Sequence, residues 1–114
     1  MATVKVTLKT GLTIADRTHL EAEIREATAA DLIDASDESE KLIATPEGYQ
    51  LLASPTLVGL NTLRRQVVRI GEHAGPLSLA ELRKLSAGDL SLIQETALTL
   101  ETASLEGALK RGRD

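Results

Sequence analysis

The chain has 114 residues, enough for one domain around one core. Apolar residues make up 42% and Tyr49 is the sole aromatic, so the interior has to be aliphatic. A formal net charge of −4 argues against non-specific nucleic-acid binding, which draws its affinity from neutralised phosphates, and the lack of cysteine excludes disulfides and thiolate chemistry.

The charge is unevenly spread: residues 1–50 carry ten acids and five bases, residues 51–114 seven acids and eight bases. The acidic first half would repel nucleic acid and anionic membranes. "MATVKVTLKT" lacks the apolar core of a signal peptide, and no run approaches the ~20 apolar residues of a membrane helix. A soluble protein of the reducing cytoplasm is expected.

In chain order, "TVKVTLKT" alternates, with Val4, Val6 and Leu8 on one side and Lys5 and Thr7 on the other, which predicts a half-buried strand. "HLEAEIREA" repeats the pattern with Leu20, Ala22 and Ile24. Glu and Ala favour helix there, but the period of two predicts a strand. The two form an antiparallel pair, with "GLTIADRT" as a longer loop between them. Thr28 and Asp31 stand in capping-box register, so a short helix is expected to about Ala35, followed by "SDESE" as an acidic loop. "KLIATPEGYQLLAS" reads as a second hairpin turning at "TPEG".

Ser54 and Pro55 then suit the N-cap and first position of a helix. Leu60, Leu63, Val67 and Ile70 form one helical stripe, and Gly71 can end it. Ser78 with Glu81, and Ser86 with Asp89, stand in capping-box register at the starts of two further helices. The stripe of the last is Leu90, Ile93, Ala97 and Leu100. The expected fold is α+β: a small antiparallel N-terminal sheet of two hairpins over about residues 3–53, then helices over about 54–71, 78–84 and 86–104. One domain spans 1–107, and 108–114 is a flexible basic tail.

Three arginines, Arg64, Arg65 and Arg69, fall within six residues. On a helix, Arg65 and Arg69 lie opposite the apolar stripe and Arg64 flanks it. They have three readings: a solvated face near a helix C-terminus, electrostatic contacts with an acidic partner or the acidic N-terminal half, or a grip on nucleic acid. Without stacking aromatics the last is the weakest. His19 and His73 lack neighbours at metal-ligand spacing, and the acids Asp34, Asp37, Glu38 and Glu40 lack the order of a calcium loop, so no metal is expected. With no nucleophile elbow and no phosphate-cradling glycine loop, neither a catalytic residue nor a cofactor site is expected. Leu92 and Leu98 lie off the last helix's stripe. They are either buried on two sides of a small domain or part of an apolar patch for a partner, to which Leu60 and Leu63 would contribute.

"KVTL", "HLEAEIREATAADLI" and "LRRQVVRIGEHAGPLSLAELRKLSAGDLSLIQE" together resemble the tail assembly chaperones of Mu-like and P2-like contractile-tail phages and prophages. The likeness covers roughly residues 3–103. It rests on Arg25 with Thr28 to Leu32, and on Leu82 to Leu90. It implies a non-enzymatic protein of the host cytoplasm that binds the tape measure protein, keeps it soluble while tail tube subunits polymerise around it, and is absent from the virion. It also implies self-association, contact with the tail tube protein, and a frameshifted long form as companion; no cofactor, nucleic acid or membrane is expected. The alternatives are a small connector or completion protein retained in the particle and a small nucleic-acid-associated regulator.

Overall fold

The computed structural model describes residues 2–112. Strands β1 (Thr3–Ile14) and β2 (Arg17–Arg25) lead into helix α1 (Ala29–Ser39). Strands β3 (Glu40–Thr45) and β4 (Gly48–Ala53) lead into α2 (Pro55–Gln66). Strands β5 (Val67–Ile70) and β6 (His73–Ala74) precede α3 (Leu79–Leu82) and the long α4 (Ala87–Gly112). The class is α+β, as the alternation and capping signals predict.

The sheet differs from the expected one. Four strands in the order β1-β2-β5-β6 make an antiparallel sheet, and β3-β4 stands apart as a separate ribbon. The C-terminal half thus supplies two strands of the main sheet. Helix α2 ends at Gln66, and Val67 to Ile70 pair with β2 instead of continuing it. The register shifts there: Ile24 opposes Val67 and Glu23 opposes Arg69, which leaves Val68 as an extra residue. Such a bulge sets two residues against one. It spaces the buried Val67 and Ile70 three apart, as a helix would, and this is why the strand reads as a helical stripe. Gly71, at φ +59, lies in the β5–β6 turn and does not cap a helix.

Three further expectations change. The first loop is a two-residue turn, because β1 runs to Ile14 and Ala15 and Asp16 take φ values of 50° and 65°; positive φ at both central positions matches the twist of paired strands. Helix α1 continues through the expected acidic loop to Ser39, whose buried hydroxyl donates to the Ala35 carbonyl at 2.6 Å. Helix α4 runs to Gly112, well past 104, so residues 108–112 of the expected tail are helical; 113 and 114 lie outside the described residues.

The core is aliphatic. Leu8, Leu12, Ala22 and Ile24 of the first hairpin meet Leu63, Val67 and Ile70, and Ile93, Ala97 and Leu100 of α4 close over them. Leu20, expected on the buried face of β2, is exposed beside Gly11, where β1 leaves the register.

Candidate functional site

All three arginines are held within the molecule. Arg64 donates to both Glu38 carboxylate oxygens at 2.7 and 2.8 Å, to the Leu77 carbonyl at 3.0 Å and to Asn61 Oδ1 at 3.1 Å. Arg65 also donates to Glu38, and to the Asn61 carbonyl at 2.9 Å. The two guanidinium groups hold the Glu38 carboxyl down at about 2, Arg65 having the larger effect. Arg69, on β5, donates to Glu23 at 3.0 Å. The arginines therefore follow the second reading, with the acidic N-terminal half as partner. Only 17% and 18% of the Arg64 and Arg65 side chains is exposed, so neither lies on a solvated helix face or is presented to a polyanion.

These ion pairs fix α1 against α2. Buried Asn61 donates to Ser39 at 2.9 Å, and Gln66 donates to the Arg25 carbonyl at 3.0 Å. At the start of α1, Thr28 and Asp31 form the expected reciprocal cap, and Arg25 adds a bidentate pair to Asp31 at 2.7 and 3.0 Å. That pairing, chiefly, lowers the Asp31 carboxyl to about 2.

Held in this way, α1 and α2 form one wall of an open groove of about 780 Å³, and α4 forms the other. Leu32 and Leu60 line the first wall; Leu98, Leu105 and Ala108 line the second. Leu98 is 62% exposed, Leu105 60% and Leu32 51%. Among the described residues nothing covers these side chains, and a lining of this kind is what a partner's apolar surface needs.

The sequence-derived leucines divide. Leu60 and Leu98 line the groove. Leu63 also borders it but is only 5% exposed, so it is floor and core at once. Leu92 is partly buried against the core and does not line the groove: it lies six residues from Leu98, about 240° around the helix. Leu32, Leu105 and Gly59 are groove residues that the sequence reading passed over. Leu98, Leu105 and Leu109 fall at spacings of seven and four, a stripe visible only once α4 extends past 104. Among the described residues no three His, Asp or Glu side chains converge on a metal site, and no helix is long and apolar enough to cross a membrane.

Residues 8–113 match the family described as tail assembly protein gp41. The chain is similar to the Mu-like prophage FluMu protein gp41 of Haemophilus influenzae (strain Rd), with 42% identity over 111 residues, 96% of this chain and 87% of that protein. It is 43% identical over 113 residues to the probable tail assembly protein gp41 of Escherichia phage Mu, covering 93% of this chain and 77% of that one. Against the probable tail assembly protein FS-gp41 of the same phage the identity is 44% over 105 residues, 86% of this chain but 56% of that longer protein. No solved structure matches it significantly. A match over residues 8–113 and relatives at 42% and 43% identity along nearly the whole chain establish that it belongs to the gp41 tail assembly proteins of Mu-like phages and prophages.

Proposed function

We propose that this tail assembly protein is a chaperone for the tape measure protein. It covers an apolar helical segment of that protein in the host cytoplasm, keeps it soluble while tail tube subunits polymerise around it, and leaves before the particle is complete. The observation that carries this reading is the open apolar groove between α2 and α4, which the described residues leave uncovered. A long helical client exposes apolar seams that aggregate in water, and an apolar groove shields such a seam by taking one face of a helix. The role asks for binding and release, with no bond made or broken. Further copies of the chain, a longer frameshifted form and the tail tube protein are the other partners this reading entails.

Co-expression with the tape measure protein of the same tail gene cluster tests it. The client should stay in the soluble fraction and co-purify with the chain, and mass spectrometry of purified virions should find the chain missing. A client that precipitates regardless, or a chain present stoichiometrically in finished particles, overturns the chaperone reading; the second result would make the protein a retained connector.

A further inference from the structure

The described lining of the groove carries charge of one sign. Among the described residues that line it, only Glu26, just ahead of α1, and Glu101, on α4, are charged, and the rest are apolar or neutral polar. Among the described residues neither carboxylate has a cation within ion-pair distance. The α4 wall runs from Gln94 to Ala108; at 1.5 Å per residue that is about 21 Å, or four helical turns.

We infer that the groove binds one amphipathic helix of another protein, about four turns long, whose apolar stripe is flanked by lysine or arginine. This rests on the chaperone reading for the identity of that protein, but not for the chemistry of the site. The stripe would lie along Leu32, Leu60, Leu98 and Leu105, and the flanking cations would meet Glu26 and Glu101. A second copy of the chain is the poorer occupant. The α1 stripe stands among Asp34 and Asp37 and the Leu98–Leu105 stretch of α4 among Glu101 and Glu106, which would set acid against acid in a chain of net charge −4; only the last turn of α4, at Lys110 and Arg111, is basic, and it is shorter than the groove.

Gly59 makes the site testable without harm to the fold. It lines the groove, and a Cβ built there meets nothing within 4 Å. Gly59→Leu therefore fills the groove from an exposed helical position, where losing a glycine favours the helix. The probes are two 18-residue synthetic helices with the same leucine stripe, one flanked by lysine and one by glutamate, titrated against the full chain. The lysine helix should bind more tightly, by about tenfold, given two rim carboxylates that attract one probe and repel the other. Gly59→Leu should lose that binding with an unchanged or higher Tm, and Glu101→Lys should weaken the lysine helix and strengthen the glutamate one.

Equal binding of both probes, or wild-type binding by Gly59→Leu, overturns the inference. So does self-association of the wild-type chain that Gly59→Leu abolishes, because a second copy would then be the occupant. If the lysine helix binds as described but the tape measure protein does not co-purify, the groove assignment stands and the chaperone reading fails. If the tape measure protein co-purifies equally with wild type and Gly59→Leu, the reverse holds.

Discussion

Asp89 sits three residues after Ser86, the position from which an acid ordinarily reaches back to the amide of the capping residue. It takes other partners. Ser86 still accepts the Asp89 amide at 3.1 Å, but the carboxylate turns to β1 and accepts the amides of Lys9, Thr10 and Gly11 at 2.7, 3.0 and 2.8 Å. Those amides belong to the stretch where β1 leaves its register with β2, between Thr7 and Leu12, so the strand ladder leaves them to another acceptor. Gly11 takes φ +83 there, and a Cβ would lie 2.5 Å from the His19 carbonyl oxygen. Burial alone would raise the Asp89 carboxyl, but the three amides and Ser86 more than offset it and hold it below 3.8. Asp89→Ala removes the acceptor of three amides, buried at Gly11 and partly buried at Lys9 and Thr10, where water can take its place, and an unmet buried group costs about 1–3 kcal/mol. The expected loss is about 1–3 kcal/mol, read as a fall in the urea midpoint with an unchanged m-value.

At the scale of elements, the β3–β4 ribbon is the least supported part of the fold. Opposite residues share a face, so Leu42 with Leu51 and Ala44 with Tyr49 make one apolar side. Yet Leu42, Tyr49 and Leu51 are all exposed, Tyr49 at 75%. A lone two-stranded ribbon is marginal in water, and this one is anchored at its base by α1 and α2. Its leucines therefore contribute little to the folded chain. Leu42→Thr and Leu51→Thr should each change stability by less than about 0.5 kcal/mol, whereas Ile24→Ala, fully buried, should cost about 2–5 kcal/mol. Chemical denaturation of the three variants checks this. A loss above 2 kcal/mol for either leucine would mean that the ribbon is covered in the free protein.

Across the whole molecule, surface and shape agree with these uncovered elements. The accessible area is 7534 Å², against about 6,100 Å² for a compact chain of 12.2 kDa. The Cα radius of gyration is 16.4 Å, against about 13 Å for a compact domain of this length. The ribbon and the end of α4 both present exposed apolar side chains. What keeps so open a body together is partly electrostatic, and that makes it acid-sensitive. Asp31 and Glu38 titrate at about 2 in the folded chain, below their ordinary 3.8 and 4.5. Their depressed values mean that the unfolded chain binds more protons in this window. The stability they contribute is complete above about pH 4.5 and is lost as pH falls toward 2. Urea midpoints measured from pH 7 down to pH 2.5 should follow that course, and Glu38→Gln should lower the plateau by about 1 kcal/mol and flatten the decline. An equally steep decline in the variant would remove Glu38 from the account.

The sequence alone determined the elements whose signals are local. The reciprocal caps at Thr28–Asp31 and Ser78–Glu81, the Ser54–Pro55 helix start and the "TPEG" hairpin all depend on residues a few positions apart, and all four form as read. The aliphatic core followed from composition. Tertiary structure decided the rest, because it depended on residues far apart in the chain. Bulging at Val68 makes two buried strand residues mimic a helical stripe, so only pairing with β2 distinguishes strand from helix. Glu38 reads as part of an acidic loop until Arg64 and Arg65 reach it across 26 and 27 residues. The groove is the furthest from local reading: Leu32, Leu60 and Leu105 lie on three helices, and only the packing of α1, α2 and α4 makes one surface of them. Apolar periodicity reports that a side chain avoids water, but whether its own chain or another protein covers it is settled by where the helices end and what they meet.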